Sequence, residues 1–99
     1  MRFGLFHLLQ WHESQTQEQV YAETIAQILR GEELGFDSVW LAEHHFSRYG
    51  LCPAILNFGS YLAARTARLR IGLAVLILPF HNPVLVAEEA ALTALLSNG

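Results

Sequence analysis

The chain has 99 residues, enough for one domain at most, because independent domains mostly contain about 50–250 residues. Hydrophobic residues make up 53% of it and charged residues 15%, which excludes a disordered chain. The formal net charge of −3, with six arginines and no lysine, leaves no basic patch for binding nucleic acid.

The first predicted unit is a strand followed by a helix. The strand, Arg2–Leu9, is nearly all apolar, as expected of a parallel strand that is covered on both faces. The helix is predicted over Glu18–Glu33, with Ser14 or Thr16 as its cap and Gly35 as its stop. Its buried stripe has the spacing of one helix face and comprises Tyr21, Ile25, Ile28 and Leu29.

Two further units repeat this order. Asp37–Ala42 is the second predicted strand, and Pro53 is predicted to begin the next helix, where its missing N–H is harmless. Arg70–Leu78 is the third predicted strand, with an entirely apolar core from residue 71 onward. The third helix is predicted from Pro83 to about Ser97.

The order strand–helix–strand–helix–strand–helix predicts an α/β fold with parallel strands and right-handed crossovers. Three such units alone would leave strand edges and helix faces exposed. A (β/α)8 TIM barrel contains eight units and typically about 250 residues. We therefore interpret residues 1–99 as the first three βα units of such a barrel, the incomplete N-terminal part of a single domain.

The cysteine content and the apolar segments of the sequence indicate the cellular compartment of the protein. One cysteine, Cys52, excludes a disulfide framework and fits a reducing compartment, and we expect it to be a small buried residue. The apolar stretch Phe3–Leu9 is too short for a signal peptide, and no segment approaches the roughly 20 apolar residues of a membrane span. We expect a cytoplasmic protein with neither a membrane nor a nucleic acid as partner.

Histidines collect where the predicted strands end. All five lie at or beside strand carboxyl ends: His7, His12, His44, His45 and His81. Glu43 directly precedes the histidine pair, and such titratable groups are costly inside a buried strand. Because parallel α/β folds place their chemistry at the carboxyl ends of strands, this pattern predicts a functional site there.

Three chemistries are compatible with these residues. Metal binding suits histidine and carboxylate, but His44 and His45 leave the strand in opposite directions and no HxH or HExxH spacing occurs, so no metal is predicted. General acid–base catalysis suits an imidazole that titrates near neutral pH. Cofactor positioning beside a flavin or nucleotide is the third, although no GxGxxG or GxxxxGK[ST] motif is present.

Four segments resemble one family. They are Met1–Phe6, Glu33–Phe46, Pro79–Val84 and Ala87–Ala90, and the strongest element is Glu-His-His-Phe after Phe-Asp-Ser-Val-Trp. Together they resemble the bacterial luciferase-like monooxygenases over the whole chain, which corresponds to the first third of such a protein. The resemblance implies a (β/α) barrel that uses reduced FMN, or less commonly a deazaflavin coenzyme, and that forms homodimers or heterodimers.

The resemblance also implies roles for individual residues. His44 matches a catalytic acid/base near the flavin. His45 matches a residue that holds the loop and the dimer contact, with Glu88 or Glu89 near that interface. Ala74–Val75 matches a bulge with a non-proline cis peptide that supports the isoalloxazine ring.

Three more residues are predicted to lie around the cofactor. Glu43 is expected to orient a histidine rather than to act as an acid itself. His7 lines the substrate cavity or, equally, bonds to the adjacent loop. His81 is expected either to approach a flavin edge or to stabilise its own loop.

The resulting hypothesis is a flavin-dependent monooxygenase in which reduced flavin and O2 oxidise a small, aldehyde-like organic substrate. A flavin reductase is the expected supplier of reduced flavin, and three βα units alone are expected to be inactive. The alternative is a non-catalytic barrel subunit that serves as a structural or dimerisation partner, because the non-catalytic luciferase subunit also carries Glu-His-His-Phe.

Overall fold

Three parallel strands and three helices alternate in a computed structural model that describes residues 1–98. The strands pair in the order β1-β2-β3, each in register with its neighbour over four residues. The elements are β1 (Gly4–His7), α1 (Gln17–Glu33), β2 (Ser38–Leu41), α2 (Ile55–Ala63), β3 (Arg70–Leu73), a 3-10 helix (Leu78–Phe80) and α3 (Pro83–Leu96).

The first helix begins and ends with the predicted signals. Thr16 is the cap: its hydroxyl accepts a hydrogen bond from the Gln19 N–H, and the Gln19 side chain accepts one from the Thr16 N–H. This reciprocal capping box satisfies two N–H groups that have no partner inside the helix. At the other end Gly35 adopts a positive φ of 95°, a conformation that a residue without Cβ adopts at little cost.

The strands are shorter than predicted. β1 ends at His7 because Leu9 turns into the left-handed region, with φ of 53°, and leaves the sheet. The third strand was predicted to reach Leu78 but ends at Leu73, and the apolar residues beyond it form an irregular segment and the 3-10 helix. An apolar run does not by itself distinguish a strand from an irregular segment, and here Val75 and Leu78 are largely exposed.

The second helix begins two residues later than predicted. Its first helical hydrogen bond runs from the Phe58 N–H to the Ala54 carbonyl, at 3.1 Å, so the helix starts at Ile55. Pro53 therefore precedes the helix instead of occupying its first position. The prediction of Pro53 as the helix start was wrong by this half turn.

The core lies between the sheet and helices α1 and α2. Cys52 belongs to it, as predicted, and burial raises the pKa of its thiol to about 11. The other sheet face carries the exposed side chains of Phe6 and Trp40, and α3 has no buried residue. Within residues 1–98, no helix is both long and apolar enough to cross a membrane. The largest fully buried hydrophobic side chains are Ile28, Val39, Leu41, Cys52, Ile55 and Leu62.

Candidate active site

Glu43 is the polar centre of the strand ends. It lies two residues beyond β2 and is only 2% exposed, yet both of its carboxyl oxygens have partners. Oε1 lies 2.6 Å from His45 Nε2 and 2.8 Å from His81 Nε2, and Oε2 accepts the Ile77 N–H at 2.8 Å. Burial by itself raises the pKa of this carboxyl, but the hydrogen bonds from His45, Ile77 and His81 outweigh it and hold the pKa below 4.5. The group is therefore a buried carboxylate at neutral pH.

Backbone hydrogen bonds attach the segment after β3 to the same place. The Ala74 N–H donates to the Leu41 carbonyl at 2.7 Å, and the Glu43 N–H donates to the Val75 carbonyl at 3.3 Å. The Ala74–Val75 peptide bond between these two attachments is cis, as the resemblance implied. With the Ile77 contact, Glu43 holds Val75 through its backbone and Ile77 through its side chain.

His44 has different surroundings from Glu43. Its backbone N–H donates to the Cys52 carbonyl at 3.0 Å, and its ring meets the Tyr49 ring edge-on, with centroids 5.0 Å apart. A Cβ at Gly50 would lie 2.4 Å from His44 Cδ2, so the ring rests directly on the glycine backbone. Among residues 1–98 no hydrogen-bond partner for either ring nitrogen is found, which leaves both for proton transfer or ligand binding.

An open hollow of about 690 Å³ connects the two histidines of the pair. Its walls are His44, His45, Phe46, Ile77 and Phe80. The Phe46 side chain is fully exposed at its edge, and the Phe80 ring meets the His45 ring edge-on at 5.2 Å. Apolar and aromatic walls with a few polar groups are the usual lining of a site for a planar organic cofactor or a small substrate.

The other predicted site residues lie elsewhere. His7 lines a separate hollow against α1, with Val20 and Thr24, and burial lowers its pKa below 6.5. Glu88 and Glu89 are exposed on α3, and His12 is exposed and bonded to Ser14. Across residues 1–98 no group of three or more His, Cys, Asp or Glu side chains is arranged to hold a metal ion.

Three members of this site were missed from the sequence. The Ile77 N–H is a backbone group, and Phe80 and Gly50 carry no chemical signal of their own. His81 had two alternative predictions, and the structure shows it anchoring its loop on Glu43, 38 positions earlier in the chain.

Comparison with known proteins identifies the family. The sequence profile described as "Luciferase-like monooxygenase" matches residues 1–99. The chain belongs to the luciferase-like monooxygenase family. It is 37% identical over 101 residues to the oxygenase component of flavin-dependent trigonelline monooxygenase of Acinetobacter baylyi, covering all of this chain and 28% of that protein.

Both chains of bacterial alkanal monooxygenase are also similar to it. The alpha chain of Photorhabdus luminescens is 37% identical over 100 residues, covering all of this chain and 27% of that one. The beta chain of Photobacterium leiognathi is 37% identical over 102 residues, covering all of this chain and 31% of that one. The chain thus spans about three-tenths of the length of these relatives.

Solved structures agree on the fold. Monooxygenase RslO1 from Streptomyces bottropensis superimposes with a TM-score of 0.92 at 29% identity, covering all of this chain and 31% of that one. The oxygenating constituent of 3,6-diketocamphane monooxygenase from Pseudomonas putida, in complex with FMN, superimposes with a TM-score of 0.91 at 18% identity, covering all of this chain and 27% of that one. The fold is accordingly that of the first three βα units of a (β/α)8 barrel.

Proposed function

We propose that the complete protein is a flavin-dependent monooxygenase in which reduced FMN and O2 oxidise a small, aldehyde-like organic substrate. The observation that carries this proposal is the His44 ring, which lines an apolar hollow with both nitrogens unengaged among the described residues. The family and the flavin-dependent relative support it. Oxygen consumption that depends on both reduced FMN and an added aldehyde is the test.

The residues present fit a flavin ring better than its phosphate. Phe46, Ile77 and Phe80 offer apolar walls to an aromatic ring system, and Ala74–Val75 offers the adjoining backbone. We propose that these residues hold the isoalloxazine ring, with Glu43 acting through the histidines it orients. When bound, reduced FMN would supply the electrons that activate O2. A deazaflavin coenzyme is the less favoured choice.

His44 is proposed as the acid/base of the reaction. A neutral imidazole accepts a proton on one ring nitrogen while it carries one on the other, so it can move a proton near neutral pH. The hollow keeps the ring beside the ligand, and the Tyr49 ring and the Gly50 backbone fix its position. His45, together with Glu88 or Glu89, is proposed to lie near a dimer contact.

Partners and location are proposed on the same basis. Alkanal monooxygenase has alpha and beta chains, which supports a homodimer or heterodimer here. The trigonelline relative is named as an oxygenase component, which supports a separate flavin reductase as the source of reduced flavin. The single cysteine supports the reducing environment of the cytoplasm.

The 99-residue chain by itself is expected not to bind FMN tightly. We propose that residues 1–99 are the N-terminal part of a longer barrel domain, since Phe6 and Trp40 leave one sheet face uncovered and α3 buries no side chain. A fluorescence titration of the isolated chain with FMN measures this. A dissociation constant below about 1 µM would contradict the expectation.

Substitution of Gly50 by alanine is expected to reduce turnover of the complete protein at least about tenfold, because the added Cβ would overlap both the His44 ring and the Leu8 carbonyl oxygen and so displace the ring. The reduction should appear in kcat with aldehyde as the varied substrate. Gly59→Ala is the matched control, since Gly59, like Gly50, has no positive φ, but an added Cβ there would meet Ile71 Cγ2 at an ordinary contact distance of 3.5 Å. Equal kcat losses in the two variants would argue against a role of Gly50 in placing His44.

The second candidate function is a non-catalytic barrel subunit that acts as a structural or dimerisation partner. The similarity to an alkanal monooxygenase beta chain, at the same 37% identity as to an alpha chain, favours retaining it. Titration with FMN followed by oxygen consumption separates the two functions. A complete protein that forms dimers but never binds flavin would support the subunit and exclude the enzyme.

A further inference from the structure

The buried carboxylate of Glu43 contacts two imidazoles through the same atom of each ring. His45 and His81 both place Nε2 within hydrogen-bond distance of Oε1. An ionised carboxylate carries no proton and only accepts hydrogen bonds, so each ring must carry its proton on Nε2. We infer that Glu43 is a positioning residue that sets both histidines as Nε2–H donors and leaves His45 Nδ1 as a hydrogen-bond acceptor for the ligand of the hollow.

Neighbouring backbone groups fix the position of the Glu43 carboxylate. Its Oε2 accepts the Ile77 N–H, which is a fixed donor, and its backbone N–H is held by the Val75 carbonyl. The Glu43 side chain has no exposed surface, so solvent does not compete for its lone pairs. Three groups therefore donate hydrogen bonds to one carboxylate. Because the carboxylate has no proton to give, each imidazole that faces it must carry its own proton on Nε2.

The remaining nitrogen of His45 gains a defined chemistry from this arrangement. The ring lines the hollow with His44 and Phe80, and within residues 1–98 no partner is found for its Nδ1. In the Nε2–H tautomer, Nδ1 carries a lone pair and accepts a hydrogen bond. Resting on the function proposed above, the complementary ligand group is a polar N–H donor, such as the imide N–H of a flavin ring.

Glu43→Gln tests the tautomers because its amide is nearly isosteric but has only one accepting atom. The Ile77 N–H is a fixed donor and requires the amide oxygen, so the amide NH2 faces both histidines, and each ring must then accept at Nε2 and carry its proton on Nδ1. The expected result is a change of both rings from the Nε2–H to the Nδ1–H tautomer. Nitrogen-15 spectra of the histidine-labelled complete protein at pH 8.5, above the ordinary imidazole pKa of about 6.5, report it.

His12 is the internal control, because its ring is exposed and its hydrogen bonds found within residues 1–98 are to Ser14, so its spectrum should be the same in both proteins. An Nδ1–H tautomer at His45 or His81 in the unsubstituted protein would overturn the inference. Unchanged Nε2–H tautomers at both rings of Glu43→Gln would overturn it as well.

FMN binding tests the second half of the inference. Glu43→Gln is expected to weaken FMN binding about tenfold, since the ligand N–H would then face a donor instead of an acceptor. Unaltered FMN affinity together with changed tautomers would overturn the role of His45 Nδ1. Failure of the unsubstituted protein to bind FMN would instead refute the proposed function, while the spectra would still decide the tautomers.

Discussion

Substitution of His44 by alanine is expected to lower kcat of the complete protein by about 10²–10⁴-fold, the usual contribution of a general acid or base. The ring lines the proposed ligand hollow, and no hydrogen bond of its nitrogens is found within residues 1–98. Removing it therefore takes away a proton carrier without leaving a buried partner unsatisfied. Stopped-flow measurement of turnover with reduced FMN, O2 and an aldehyde is the appropriate assay.

Two measurements separate this chemical loss from damage to the fold. FMN affinity and thermal stability of His44→Ala should stay close to those of the unsubstituted protein. His12→Ala removes an exposed histidine from the preceding loop and should leave kcat within about twofold. Unchanged turnover in His44→Ala would end the proposed role of His44.

The fold followed from the sequence because its signals are local. Thr16, Gln19 and Gly35 mark the two ends of α1 within the helix itself, and the apolar runs mark the three strands. The position at which the third strand ends could not be predicted from the sequence. After Leu73 the backbone is directed by hydrogen bonds to the Leu41 carbonyl and to the Glu43 side chain, and these partners lie more than 30 positions away.

The candidate site was predicted in its location but not in its connections. Parallel strands bring their carboxyl ends to one edge, so Glu43, His44, His45 and His81 were expected near each other. The sequence does not say which histidines Glu43 contacts. In the structure Glu43 contacts two histidines, His45 and His81. His7 lies against α1 instead of in the hollow with His44.

These connections fit the different roles proposed for the two histidines of the pair. His45 Nε2 lies 2.6 Å from the Glu43 carboxylate, whereas within residues 1–98 the neighbouring His44 is held by its backbone N–H and by ring packing. A residue that must move a proton benefits from an unengaged ring, and a residue that must hold a loop benefits from a buried partner. Glu43 therefore holds the site together, and its removal should lower the free energy of unfolding.

Substitution of Glu43 by alanine is expected to reduce the free energy of unfolding by about 1–3 kcal/mol, because it leaves hydrogen-bond donors without their acceptor, while the two imidazoles stay partly open to water at 26% and 27% exposure. The Ile77 N–H and the Nε2–H groups of His45 and His81 all lose their acceptor. Urea unfolding of the complete protein measures the change. Glu33→Ala is the matched control: its side chain is 65% exposed in a surface pair with Arg30, so its removal should cost about 0–1 kcal/mol.

The pH dependence of the Glu43 effect distinguishes a carboxylate from a mere space-filling side chain. Because the folded-state pKa of Glu43 lies below its ordinary 4.5, its ionised form stabilises the fold fully above pH 4.5. That contribution is lost as the pH falls through the folded-state pKa, where the carboxylate takes up a proton. The stability difference between the unsubstituted protein and Glu43→Ala should therefore be greatest near neutral pH and shrink in acid below pH 4.5. A difference that stays constant across this range would show that volume, and not charge, explains the cost of losing Glu43.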